Sequence, residues 1–252
     1  MKGITDMNTA DITTALILAA GMGTRLKDLG KDAPKGFLRL GKKTIIEESL
    51  DKLQASGVRK VILVTGHLSH MYDELAAQTG GFAITIKNDV FATSGSGYSL
   101  YTARTLLPPG EDFLLLESDL IYEKRALDIL RDDPRPDIIL LSGKTSSGDE
   151  VYVETRGGNL VAMAKNKAAL GPAIEGELVG ISKISAKLYA AYCTAAQRLF
   201  NTTLKVEYEA GLTETAKTYP IPCLLVPDLA WAEIDDENHL TRARDKVYTR
   251  TK

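Results

Sequence analysis

The chain has 252 residues, is 44% hydrophobic and 25% charged, and carries a formal net charge of −2. That is the composition of a globular α/β-sized domain with a sizeable core, and its near-neutral balance gives no electrostatic reason to expect a nucleic-acid or membrane partner. Cys193 and Cys223 lie far apart without metal-ligand spacing, as in a free-thiol cytoplasmic protein, and the longest apolar runs have strand length, too short to span a bilayer.

Residues 1–13 are polar, lack the apolar centre of a signal peptide and read as a flexible leader. Residues 14–252 read as one domain. The apolar run 15–20 ends abruptly at Gly21-Met22-Gly23-Thr24-Arg25. A short apolar run closed by glycines is a buried parallel strand feeding a tight loop, and its bare N–H groups beside Arg25 suit phosphate oxygens. Pro34 stiffens the return of that loop, and Lys35 adds a positive charge on the same side. Neither of two familiar glycine loops fits: a P-loop needs Lys-Ser/Thr after its last glycine, and a dinucleotide fingerprint needs a third glycine where Leu26 stands.

Helix and strand signals then alternate. Residues 44–55 form an amphipathic pattern stopped by Gly57, 60–65 a buried strand, 69–78 a helix with Ser69 as its cap, and 82–86 a third strand. His67 and His70 have no third ligand nearby and read as loop and helix-surface residues. Asn88-Asp89 end the third strand. The polar loop 93–97 and a helix over 98–107, stopped by Pro108, gather N–H groups and hydroxyls, including those of Ser94 and Ser99. This is either a base- or ribose-binding element or a flexible connection.

Residues 112–119 form a buried strand ending in Asp119, which reads either as a metal ligand at the carboxyl end of the sheet or as the cap of a helix over 123–131. After a strand at 137–142 the pattern alternates on both sides of Gly157-Gly158, a hairpin signal. Lys165 and Lys167 follow it, serving a substrate phosphate or merely the surface. A strand at 178–184 precedes helices at 186–200 and 206–217, the second carrying Tyr208 and Glu209. Strands at 223–226 and 231–234 and a terminal helix at 237–249 complete the chain, with Asp235 and Asp236 as a metal ligand or an N-cap. The alternation defines an α/β fold with a mixed, mostly parallel sheet flanked by helices and a small antiparallel excursion.

Leu18-Ala19-Ala20-Gly21-Met22-Gly23-Thr24-Arg25 followed by Pro34-Lys35 resembles the signature of the nucleotidyltransferase superfamily. The resemblance covers the chain from about residue 14 to the end and implies a Rossmann-like, nucleotide-diphospho-sugar transferase-like fold. Asn88-Asp89, Tyr98-Ser99-Leu100-Tyr101, Glu117-Ser118-Asp119 and Ala232-Glu233-Ile234-Asp235 resemble its small CTP-dependent cytidylyltransferases, acting on phosphocholine or 2-aminoethylphosphonate. By that resemblance Arg25 and Lys35 are catalytic and contact the CTP phosphates, the nucleotide site comprises Leu18, Ala19, Ala20, Gly21, Gly23, Thr24, Arg25, Lys35, Ser94 and Ser99, and Asp119 and Asp235 ligate Mg²⁺. Asp235 is preferred to Asp236 because it falls on the family's Glu-Ile-Asp pattern.

An acceptor-binding insert is expected around residues 144–217, with Asp149, Glu150, Lys165, Tyr208 and Glu209 as its contacts. Where the phosphocholine enzymes carry aromatic residues this chain has Asp149-Glu150 and Tyr208-Glu209, and carboxylates suit a primary ammonium. The expected reaction is CMP transfer from CTP to 2-aminoethylphosphonate with release of pyrophosphate. The alternatives are phosphocholine or a sugar-1-phosphate as acceptor, or a nucleotide-binding regulatory domain without turnover. The expected partners are CTP and a small phosphonate or phosphate, with no nucleic acid and no membrane; a homodimer is compatible with the sequence.

Overall fold

The computed structural model describes residues 12–23, 25 and 32–251. Thr24 and residues 1–11, most of the expected leader, lie outside them. β1 (Thr14–Ala19), β2 (Lys60–Thr65), β3 (Ala83–Lys87) and β4 (Phe113–Glu117) pair in parallel in the order β4-β1-β2-β3. β9 (Ile174–Ile184) runs antiparallel between β4 and β6 (Ile138–Ser142), and β10 (Cys223–Val226) continues in parallel from β6. The sheet is therefore mixed and mostly parallel, and the sequence-based fold class holds.

Strand alternation divides the core into two layers. Ala15, Ile17 and Ala19 pack on one face with Val61, Leu63, Leu114 and Leu116; that face is covered by α1 (Ile45–Ala55), α2 (Ser69–Ala77) and α4 (Arg125–Asp132). Leu16 and Leu18 pack on the other with Ile62, Val64, Phe113 and Leu115, under α3 (Ser96–Thr102), α5 (Ala186–Phe200) and α6 (Tyr208–Ala216). α1 starts with a reciprocal cap: the Thr44 hydroxyl accepts from the Glu47 amide while the Glu47 carboxylate accepts from the Thr44 amide at 2.7 Å.

The hairpin at Gly157-Gly158 joins β7 (Tyr152–Arg156) to β8 (Asn159–Ala164), and β7 pairs with β9. A second, two-stranded sheet pairs β5 (Leu120–Tyr122) antiparallel with β11 (Trp231–Glu233) over a small separate core of Ile45, Ile121, Ile234, Leu240 and Tyr248. Among the described residues no helix is long and apolar enough to cross a membrane.

Three local expectations are corrected. Ser69 is the first residue of α2 and does not cap it; Leu68 enters the helix in the left-handed region at φ 51°, because Gly66 and Leu68 turn tightly in an isolated bridge. The helix expected over 98–107 begins two residues earlier, and its last turn, Ala103–Thr105, tightens to a 3₁₀ turn before Pro108. The terminal helix expected over 237–249 is α-helical only at α7 (Glu237–Arg242), then widens to a π turn at Ala243–Val247 and tightens at Tyr248–Thr251.

Gly180, in the middle of β9, has φ +80° and lies next to the point where the β6–β9 register shifts. A Cβ there would come within 2.9 Å of the Glu117 carboxylate and 3.0 Å of Leu120. Gly180→Ala should therefore cost about 1–3 kcal/mol of stability, read as a lowered thermal midpoint; an unchanged midpoint would show that the strand can flatten without strain.

Candidate active site

The strand ends of β1 and β4, the loop after β3, the start of α6 and the end of β11 surround one cleft of about 580 Å³. Leu18, Ala19 and Ala20 carry the floor, and Gly21 and Gly23 form the rim with Arg25. Gly23 adopts φ +60°, a conformation glycine takes without a Cβ penalty. Lys35 lies beside Gly23, on the 3₁₀ turn Lys35–Phe37 that follows Pro34. Ser94 and Ser99 line the β3 side; Asp119, Lys165, Tyr208, Glu209 and Asp235 line the other. Asp149 and Glu150 border an adjoining recess of about 50 Å³, which shares Lys165 and Glu209 with the cleft. The described residues singled out from the sequence thus converge, while Lys167 lies over the Tyr152 ring, 4.1 Å from its centroid.

The β5–β11 pairing explains how Asp119 and Asp235, remote in sequence, become neighbours: the Ile234 amide donates to the Asp119 carbonyl at 3.1 Å. The two consecutive aspartates of the last strand divide their work. The Asp236 side chain caps α7 by accepting from the His239 amide at 2.8 Å. Asp235, 1% exposed, turns into the cleft, and its amide faces His239 Nδ1 at 3.4 Å.

The cations of the glycine loop lie directly on these carboxylates. Lys35 Nζ donates to Asp119 at 2.8 Å and to Asp235 at 2.5 Å; Arg25 donates to Asp235 at 2.7 Å and to Asp149 at 2.5 Å; Lys165 donates to Asp149 at 2.8 Å. Burial pulls the Lys35 pKa down, but Asp119 and Asp235 outweigh it and hold the ammonium well above its ordinary value. Burial likewise opposes ionisation of Asp149, yet its hydrogen bonds, with those from Lys165 and Arg25 among them, leave it well below the usual carboxylate range.

Two further acids complete the site. Glu117 accepts from Tyr208 Oη at 2.6 Å, and Glu233 stands beside Asp119 and Asp235. Burial, then the neighbouring carboxylates, raises Glu117 well above its ordinary value and pushes Glu233 up to about 9. The sequence carries a signal for both: Glu117-Ser118-Asp119 and Glu233-Ile234-Asp235 are two Glu-x-Asp repeats at strand ends, and period two places the acids of each on one face. Five cationic side chains (Arg25, Lys35, Lys165, Lys205, Arg242) thus line the cleft and its recess together with eight carboxyl groups (Glu117, Asp119, Asp149, Glu150, Glu207, Glu209, Glu233, Asp235).

The acids fit a hard divalent cation. Oxygens of Glu117, Asp119 and Glu233 lie within 4.8 Å of one another, and Asp235 Oδ2 is buried without a hydrogen-bond partner among the described residues. Cations paired with carboxylates beyond the carboxyl ends of a mostly parallel sheet define the class: a transferase domain that handles nucleoside triphosphates.

The chain belongs to the MobA-like NTP transferase domain family, whose model matches residues 15–188. It is 27% identical over 240 residues to a bifunctional IPC transferase and DIPP synthase of Aquifex aeolicus, covering 92% of this chain and 51% of that protein. It is 28% identical over 180 residues to a 2-aminoethylphosphonate cytidylyltransferase of Lancefieldella rimae, covering 70% and 69% of the two chains. The chain thus spans about half the length of the first relative and about two thirds of the second. In fold it matches the inositol-1-phosphate CTP transferase from T. maritima with a TM-score of 0.80 at 20% identity, covering 95% of this chain and 94% of that one.

Proposed function

We propose that the protein is a cytidylyltransferase that transfers CMP from CTP to 2-aminoethylphosphonate, forming CMP-2-aminoethylphosphonate and pyrophosphate. The observation that carries the acceptor is the buried Glu209 carboxylate. Its Oε2 has no hydrogen-bond partner among the described residues and borders the recess together with Glu117 and Glu233. A primary ammonium donates three hydrogen bonds and so can satisfy that oxygen while pairing with the Glu209 carboxylate. The similarity to the Lancefieldella 2-aminoethylphosphonate enzyme supports the same reading.

In this reading the triphosphate lies against the glycine loop, with Ser94 and Ser99 toward the base. Arg25 and Lys35 move from the aspartates to the phosphates. Asp119 and Asp235 would hold Mg²⁺, which would further neutralise phosphate charge when bound. Residues around 144–217 form the acceptor-binding part: Lys165 faces the phosphonate, and Asp149, Glu150, Tyr208 and Glu209 surround the ammonium end. A phosphonate oxygen attacks the α-phosphorus, the new P–O bond forms, and the α–β bridging oxygen leaves with its electron pair as pyrophosphate. No protein base is required, because the phosphonate is already anionic. Holding the two reactants in line supplies on the order of 7–11 kcal/mol of the barrier, and Arg25 and Lys35 stabilise the charge that develops.

One observation favours phosphocholine instead: Trp231 borders the same recess, and an aromatic face attracts a quaternary ammonium. That cation donates no hydrogen bond, however, and would leave Glu209 Oε2 unsatisfied.

Glu209→Gln should raise the acceptor KM about tenfold or more, the worth of a hydrogen bond to a charged group, while the CTP KM holds. Burial pushes the Glu209 carboxyl up to about 7, with Glu207 adding to the rise and Lys165 opposing it; burial also raises Glu117, beside it, well above its ordinary value. Only the ionised form pairs with an ammonium, so the acceptor KM should fall as pH rises through about 7 and then level off. The step should vanish in the variant. If neither KM moves, Glu209 lies outside the site and the acceptor assignment fails.

A further inference from the structure

We infer that Asn88, which does not border the cleft, sets its preference for cytosine by fixing the direction of two serine hydroxyls. The inference rests on the proposal that CTP is the donor. Asn88 directly follows β3 and is 1% exposed. Its side-chain Nδ2 donates to Ser94 Oγ at 2.9 Å and to Ser99 Oγ at 3.0 Å, while the Val90 amide donates to Asn88 Oδ1 at 3.1 Å. The Val90 N–H donates to Oδ1, which orients the carboxamide with both its hydrogens on the serines.

Each serine oxygen is thereby used as an acceptor. Its own hydrogen must go elsewhere, and among the described residues neither hydroxyl has a protein acceptor. Both serines line the cleft on the β3 side of the glycine loop, whereas Glu117 and Asp119 lie at or just past the end of β4. A nucleotide with its phosphates over the loop after β1 therefore directs its base toward them. Cytosine offers two adjacent acceptors there, N3 and O2. Uracil carries a hydrogen on N3, which would meet a hydroxyl held as a donor. A site built to donate rejects the base that cannot accept. Asn88 is thus a positioning residue acting through Ser94 and Ser99.

The test is direct titration of CTP and UTP, without acceptor, together with kcat/KM for each. The wild-type protein should favour CTP at least about tenfold, as expected from one to two hydrogen bonds made or left unmade. Asn88→Asp keeps the acceptor for Val90 but turns both serine hydroxyls inward toward the introduced carboxylate, so that their lone pairs face the cleft. The CTP-to-UTP ratio should then fall at least about tenfold, with the acceptor KM unchanged. Ser94→Ala combined with Ser99→Ala leaves Asn88 in place and should produce the same fall, which keeps the test decisive if the Asn88 variant folds poorly. If the wild type prefers CTP and both variants keep its ratio, the inference is overturned and the CTP assignment stands. Equal loss of both nucleotides at constant ratio indicates a structural role only and also overturns it. A wild type that binds UTP as well as CTP overturns the inference and the donor assignment together.

Discussion

Lys35→Met should lower kcat by about 10²–10³, the usual cost of removing one group that stabilises transition-state charge, and at the same time tighten binding of Mn²⁺ to the nucleotide-free protein. The two effects have one origin. The Lys35 ammonium bridges Asp119 and Asp235 at 2.8 and 2.5 Å, with only 17% of its side chain exposed. It is the counter-ion of the carboxylates on which a divalent cation would sit. Two unit charges 4 Å apart interact by about 4 kcal/mol at an effective dielectric near 20. Even a fraction of that, released by removing the ammonium, should strengthen Mn²⁺ binding at least about tenfold in a titration followed by electron paramagnetic resonance. CTP should have the same effect on the wild-type protein, since its phosphates draw Lys35 away; cation and nucleotide then bind cooperatively. Unchanged or weaker Mn²⁺ binding in the variant would mean that Lys35 does not guard the carboxylates.

Asp235→Asn and Asp236→Ala should separate two neighbours completely. Asp235 is buried, accepts from both Arg25 and Lys35, and keeps one oxygen free. Its amide replacement retains the shape but loses the charge, so kcat/KM should fall by about 10²–10³. The thermal midpoint should move little, because Lys35 keeps Asp119 and Arg25 keeps Asp149. Asp236 caps α7 and does not line the cleft. Its replacement should cost about 1 kcal/mol, the usual worth of an N-cap, lowering the midpoint by about 2–4 °C in a domain of this size, with kcat near the parent value. Steady-state rates and thermal melts on the two proteins check both halves. The reverse pattern would exchange the roles assigned to the pair.

Much of this architecture is legible locally. The strand at 60–65 and the helix at 186–200 follow from apolar runs and periodicity, and both match their observed bounds. The glycine loop is legible because few folds need two glycines, Arg25 and Pro34-Lys35 at those spacings. Pairing across the chain is not legible in this way. Nothing in residues 174–184 announces that β9 will reverse between β4 and β6, because a buried strand is apolar whichever direction it runs. The β5–β11 ribbon joins segments more than a hundred positions apart, and it brings Asp119 to Asp235. Glu117 and Glu233 were readable as partners in the two Glu-x-Asp repeats. The ion pairs of Asp149 with Arg25 and Lys165 come from long-range packing, which spacing alone does not encode.

The measurement that bears most directly on the central claim is pyrophosphate release in the presence of Mg²⁺, with CTP, UTP, ATP and GTP each offered 2-aminoethylphosphonate, phosphocholine or glucose-1-phosphate. Release confined to CTP with 2-aminoethylphosphonate is the expected result. Release with phosphocholine in preference would keep the reaction and refute the role given to Glu209 and its neighbouring acids. A protein that binds CTP yet releases no pyrophosphate with any acceptor would contradict the account as a whole.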